Sequence, residues 1–213
     1  MVNDKQTVRT VDVVVDFVCV HCCLAFTRFR RAANRYRATG ADLRVRLRPF
    51  QLSPDAPAEG EPLFAVHVRE RGERFAREVA ADSTIGAADG LDIRLRDAIF
   101  TNTAAAHRLV AVAAEQGLAE EMTERLFRAY FTDGVNIAEP DVLDRLAAEV
   151  GVASSGGGDG GDGGGGSDND TLSAALAEVR ASGVTTVPLF RFDDGTVLEG
   201  EPAEAEFTSA LTR

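Results

Sequence analysis

The first fifty residues switch hydrophobic period twice, and that switch limits the folds open to the chain more than any other feature. "VDVVVDFV" (Val11 to Val18) is short, β-branched and nearly continuous in its apolar residues, as a buried strand requires. The next segment, "CCLAFTRFRRAANRYRATG", places Leu24, Phe26 and Phe29 with Ala32 and Ala33 among arginines and closes at Gly40, an amphipathic helix with a glycine stop. "ADLRVRLRPF" then alternates Leu43, Val45 and Leu47 with Arg44, Arg46 and Arg48, a second strand running to Pro49. Strand, helix and strand in this order imply parallel pairing across a helical crossover.

From about Pro62 to Val150 the apolar spacing of three and four predicts helix almost throughout, in "IRLRDAIF", "AAAHRLVAVAAEQG", "EEMTERLFRAYFTDG" and "PDVLDRLAAEVG". Gly117, Gly134 and Gly151 mark helix ends. "ASSGGGDGGDGGGGSDND" (Ala153 to Asp170) buries too little surface to offset the entropy of ordering it and reads as a disordered surface loop. Its Gly and Asp lack the periodic apolar position of calcium-binding nonapeptides. Asn169-Asp170-Thr171 fits a glycosylation sequon, a pattern of low specificity. Beyond it come a helix ("TLSAALAEVRASG"), a strand ("VPLFRFDDG"), a tight turn at Asp194-Gly195, a short strand ("TVLEG") and a last helix, so an antiparallel hairpin precedes the C-terminal helix. A mixed sheet flanked by helices follows, an α/β fold.

With 213 residues the chain is long enough to need no disulfide staples. "MVNDKQTVRT" has no secretory pattern and no stretch approaches a membrane span, so the expected compartment is the cytoplasm and no membrane partner is expected. There, clustered cysteines read as catalytic, redox or metal-binding. The formal charge is −11 and Lys5 is the only lysine, a surface that repels phosphate backbones and argues against nucleic-acid binding. Dense acidity with almost no lysine also suits a cytoplasm of very high salt, where screening shrinks self-repulsion.

Cys19-Val20-His21-Cys22 is a C-x-x-C at a strand-to-helix junction. A thiol there faces unpaired N–H groups and the positive end of the helix dipole, which favour thiolate and make Cys19 the candidate nucleophile. Cys22 lies about one helical turn on, within disulfide reach, and is the candidate resolving thiol, the more buried of the two. His21 is the candidate tuner of the Cys19 thiolate. Zinc would need four ligands, but Cys19, His21, Cys22 and Cys23 crowd too closely for one tetrahedral centre and His67 and His107 fall in the helical block, so no metal is expected. Pro188 in "TTVPLF" opens a strand; with a cis bond against the cysteines it would expose the Val187 backbone for pairing with an extended substrate.

The strand ending in Asp16-Phe17-Val18-Cys19, the C-x-x-C opening a helix, the helical insertion and the Val-Pro before the last hairpin resemble the thioredoxin fold of DsbA-like thiol oxidoreductases. "RPFQLSP", "NTAAAHRL", "LFRAYFTDGVNI" and "VPLF" narrow the resemblance to the FrnE-like subgroup. The chain departs from that subgroup between the cysteines, where Val20 and His21 replace proline and an aromatic, the histidine being as in DsbA itself. It departs again at Cys23, in an aromatic's place, and at Thr186, often glycine.

The resemblance implies a thioredoxin-like domain over residues 1–55 and 171–213, a helical insertion over 56–152 and the Gly/Asp-rich loop over 153–170. It implies a thiol-disulfide oxidoreductase without organic cofactor, acting on protein or small dithiols and disulfides, with a glutathione-like thiol among its partners, as monomer or homodimer. Two other classes stay open: a glutathione-dependent isomerase or transferase of the 2-hydroxychromene-2-carboxylate isomerase or kappa class, which carries serine where Cys19 stands, and a non-catalytic holdase. In those relatives the helical region helps form the small-molecule pocket, so Asn102 and His107 are candidate substrate contacts beside their simpler readings as a helix cap and a satisfied boundary histidine. Asp16 reads as a strand-end polar group or as a buried proton acceptor for Cys22, and Cys23 as a helix residue or a thiol that traps a mixed disulfide.

Overall fold

The computed structural model describes residues 8–153 and 165–213, with the side chains of 165–168 left aside. Strand β1 (Arg9–Val15) leads into helix α1 (Val20–Ala38) and strand β2 (Leu43–Pro49). β1 and β2 pair in parallel, Val11 against Val45 and Val13 against Leu47, as the two changes of period require. β1 is central and buried along its apolar run, while β2 lies at the edge and keeps its arginines outward. Arg46 faces Asp12 across this ladder with Nε 2.6 Å from Oδ1.

Strands β3 (Glu61–Pro62) and β4 (Ile99–Phe100) form a separate antiparallel pair, with helices α2 (Leu63–Arg71) and α3 (Glu73–Ala81) between them in sequence. Helices α4 (Ala104–Glu115), α5 (Ala119–Phe131) and α6 (Pro140–Val150) complete the inserted block. The helix expected over "IRLRDAIF" is not formed: these residues make turns and then β4. Their apolar spacing serves tertiary packing instead, with Ile93 and Ala98 buried and the Arg94 N–H bonded to the Phe131 carbonyl at 2.7 Å. Gly134, at φ 64°, lets Asp97 approach; a Cβ there would lie 2.8 Å from the Asp97 carbonyl oxygen.

Helix α7 (Gly165–Ala181) takes in the last six residues of the expected loop, whose stretch 154–164 lies outside the described residues. Asn169 of the sequon sits on α7, its Oδ1 accepting from Arg108 Nη1 at 2.9 Å. Strands β5 (Leu189–Phe192) and β6 (Val197–Glu199) form the expected hairpin around Gly195, and helix α8 (Glu204–Leu211) closes the chain. The sheet order is β2-β1-β5-β6, mixed because β5 runs antiparallel to β1. This is the thioredoxin-like arrangement with a helical insertion, to which the β3–β4 pair is an unforeseen addition.

The core is aromatic around α1. Phe29, fully buried, meets Phe190 of β5 at 5.2 Å between ring centroids and Phe207 of α8 at 5.6 Å, while Phe26 meets Phe127 of α5 at 5.9 Å. Each such ring contributes about 2–3 kcal/mol by burial. The same helix therefore binds the sheet, α8 and the inserted block, which holds its N-terminus in place. Its arginine face pairs with acids on those neighbours: Arg30 with Glu121 and Glu124, Arg35 with Glu204, Arg37 with Glu120.

Candidate active site

Cys19 is the N-cap of α1, with extended backbone (φ −91°, ψ 112°) and its N–H bonded to the Asp16 carbonyl at 3.2 Å. The side chain makes no cap bond, so its sulfur is left to other partners. Sγ lies 4.0 Å from the carbonyl oxygen of Val187, and the Val187-Pro188 bond is cis. The β5–β6 register begins at Leu189, so Val187 stands just ahead of the ladder. Groups from distant parts of the chain thus meet here, as the sequence allowed on the condition of a cis bond at Pro188.

All three cysteines are free thiols. Cys19 is 7% exposed, Cys22 0% and Cys23 4%. The Cys19 thiol is pulled down from 9.0 to about 7, chiefly by a hydrogen bond from the Cys22 side chain, against the opposing effect of burial, and with help from the Cys22 backbone N–H and the charge of His21. The Cys22 thiol is pushed well above 9.0, first by burial and then by its bond to Cys19, with the Asp16 carboxylate adding to the rise. Burial pushes the Cys23 thiol up to about 12. The three thiols thus divide into one ready to ionise and two that keep their protons.

His21 points away from the core, its side chain 62% exposed, and Nδ1 pairs with the carboxylate of Glu201, which also faces Arg28. Its effect on Cys19 is one of charge and ranks below both contributions of Cys22. The Glu201 pairing lies in the loop before α8 and had no signal in the sequence.

Behind the cysteines lies a polar cluster in the core. Asp16 is fully buried, Oδ2 accepts from the Leu52 N–H at 2.8 Å, and Oδ1 has no hydrogen-bond partner. His107, 6% exposed, places Nε2 2.8 Å from the Phe50 carbonyl and 3.7 Å from Asp16 Oδ1, its ring 4.7 Å from that of Phe17. The histidine therefore faces the carboxylate and not the thiols. Asn102 joins the segment after β2 to α4: Nδ2 donates to Pro54 O at 2.7 Å, while Oδ1 accepts from Ala104 N and from Gln51 Nε2. Thr103, the N-cap residue of α4, makes no side-chain cap bond. Both candidate substrate contacts thus have partners inside the protein. Among the described residues, no three His, Cys, Asp or Glu side chains converge as a metal site.

A family model for the DSBA-like thioredoxin domain matches residues 10–212. The chain belongs to this family. A relative from Bacillus subtilis (strain 168), the uncharacterized protein YwbO, is 25% identical over 209 residues, 95% of each chain. Among solved structures, the probable DsbA oxidoreductase SCO1869 from Streptomyces coelicolor superposes with a TM-score of 0.78 at 24% identity, covering 96% of this chain and 88% of its own. The cytosolic disulfide reductase DsbM from Pseudomonas aeruginosa, solved with GSH, gives a TM-score of 0.62 at 24% identity over 95% of this chain and 97% of its own. These likenesses establish the DsbA-like fold, within which Cys19 opens the first helix and Pro188 precedes β5. No helix among the described residues is long and apolar enough to cross a membrane.

Proposed function

We propose that the protein is a thiol-disulfide oxidoreductase of the FrnE-like subgroup, working through Cys19 and Cys22. The observation that carries this reading is the place of the Cys19 sulfur, at the N-terminus of α1 and 4.0 Å from the Val187 carbonyl ahead of the cis Pro188, with Cys22 fully buried about one turn on; Cys22 pulls the Cys19 thiol down while burial pushes its own up.

In the reducing direction the Cys19 thiolate attacks one sulfur of a substrate disulfide. The substrate S–S bond breaks, a bond from Cys19 to the substrate sulfur forms, and the other substrate sulfur leaves as thiolate. Cys22 then gives its proton to the buried Asp16 carboxylate and attacks Cys19, forming the Cys19–Cys22 disulfide and expelling the second substrate thiolate. Two electrons pass from enzyme to substrate. Run backwards, the same steps oxidise a substrate dithiol, and the redox potential decides which direction prevails. The backbone of Val187, ahead of the β5 ladder and beside Cys19, is the docking edge for an extended protein substrate.

A glutathione-like thiol serves as the small partner, a reading supported by the fold shared with a reductase solved with GSH. The compartment is a cytoplasm, and the charge of −11 with one lysine suits one of high salt. The test is turnover of insulin or a small dithiol, which vanishes in Cys19→Ser. Activity on glutathione and an aromatic acid that survives Cys22→Ser would point instead to the isomerase class.

A further inference from the structure

We infer that the cavity between α4, α7 and the C-terminal ends of β1 and β2 is a binding site for a small apolar carboxylic acid, separate from the thiol edge. It stands independently of the thiol-exchange reading above, because none of the three cysteines lines this cavity, nor does Val187.

The cavity has a volume of about 280 Å3, roughly twice the ~150 Å3 that takes up a benzene in an engineered protein core. Val15, Phe17 and Leu47 line it from the sheet, Val110 from α4 and Leu172 from α7. Small side chains at Ala111, Ala114 and Ala175 leave the space open between the two helices. The stretch leading into α7, residues 154–164, consists of serine, glycine and aspartate and brings no apolar side chain to fill it. Apolar walls that meet water gain when an outside apolar group covers them.

Two polar groups on the same walls narrow the chemistry of that group. Arg108 is half-buried, and its Nη1 donates to the neutral amide of Asn169 at 2.9 Å. Among the described residues no carboxylate pairs with it, whereas Arg48, also on the wall, pairs with Glu178 at 2.5 Å. Glu115 lies seven positions further along α4, about 10 Å by helical rise and out of ion-pair reach. A guanidinium beside an apolar hollow, with only an amide for company, is set to take a carboxylate on its fork. Thr123 of α5 also lines the cavity, is fully buried, and its hydroxyl has no hydrogen-bond partner. A buried hydroxyl in that state gains from a polar atom that reaches it. A plain hydrocarbon would leave Arg108 without an anion, and a sugar or free phosphate would leave the apolar walls uncovered. An acid with an apolar body satisfies both.

The test is calorimetric titration of the full-length reduced protein with 3-phenylpropanoate, with 3-phenylpropanol as its uncharged counterpart and acetate as the charge without the body. The acid should bind with a Kd below about 1 mM, the alcohol about tenfold more weakly, and acetate not measurably. Arg108→Gln keeps a donor for Asn169 and should weaken the acid about tenfold and the alcohol less than twofold. Ala111→Phe fills the space from an exposed position and should abolish binding of both. Methyl NMR shifts on adding the acid should gather on Leu47, Val110 and Leu172. No binding of the acid at about 10 mM, equal affinity for acid and alcohol, or shifts that lie outside this cavity overturns the inference. Competition between the acid and a disulfide substrate also overturns it, since that would place the acid at Cys19. A wild-type protein that binds the acid here but turns over no disulfide would instead remove the thiol-exchange reading and leave this site standing.

Discussion

The sulfur of Cys19 lies 4.0 Å from the carbonyl oxygen of Val187, a residue 168 positions away. The contact joins the N-terminus of α1 to the segment entering β5, so the two ends of the chain build one reactive edge. A thiol in that place faces both a helix dipole and a strand backbone outside the ladder.

Alkylation of the reduced protein should separate the thiols by pH. Cys19 should gain reactivity through a midpoint near 7, while Cys22 and Cys23 stay unmodified until the protein unfolds. The same shift links stability to pH. A thiol lowered from 9.0 to about 7 releases its proton more readily when folded, so its contribution is complete above 9.0 and lost as pH falls through about 7. Over that window the dithiol form should gain roughly 3 kcal/mol at most, read by urea unfolding at each pH. Above it, Cys22 and Cys23, both raised, oppose further gain. Equal alkylation of all three cysteines would contradict this assignment.

Arg28 grips Asp89 with two guanidinium nitrogens, Nη2 at 2.6 Å and Nε at 3.0 Å, and so fastens the 3-10 turn Ala87–Asp89 to α1. Asp89 is nearly buried, so removing its partner leaves a charge with less compensation, although Arg31 also reaches it. Arg28→Ala should cost about 2 kcal/mol and Arg28→Lys a little less, because lysine cannot form the fork. Chemical denaturation measures both; a cost within experimental error for Arg28→Ala would show that Arg31 suffices.

Much of this was legible in the sequence because it depends on period and local chemistry. The strand–helix–strand opening, the hairpin at Asp194-Gly195 and the C-x-x-C at a helix start each follow from neighbours a few positions apart. Residues Ile93 to Phe100 were misread because helical spacing also suits turns that pack side chains into a neighbouring element. The meeting of Asp16 with His107 and of His21 with Glu201 had no local signal. Each joins segments that only the folded insertion or the α8 loop brings together, and a histidine on an apolar helix face looks the same whether it faces substrate, solvent or a buried carboxylate.

Salt should stabilise the protein. At −11 the surface repels itself, and raising salt from about 0.1 M to 1 M shortens the screening length from about 10 Å to about 3 Å. The exposed arginine pairs lose some strength, but pairs such as Arg74–Glu78 contribute under about 1 kcal/mol each. The thermal midpoint should therefore rise with potassium chloride. Equal stability and activity in dilute buffer and in molar salt would dispose of the high-salt reading.

Cys23 should play no part in exchange. It is 4% exposed, the fourth residue of α1, and burial pushes its thiol up to about 12. Cys23→Ser should leave single-turnover oxidation kinetics unchanged within about twofold. A slower or faster resolving phase would make it a third redox centre.

Attack by Cys19 and resolution by Cys22 are separated by trapping the intermediate: Cys22→Ser mixed with a disulfide substrate, quenched and mapped by mass spectrometry. One stable mixed disulfide, on Cys19, that does not resolve is expected. An adduct on Cys23, or none on Cys19, would contradict it.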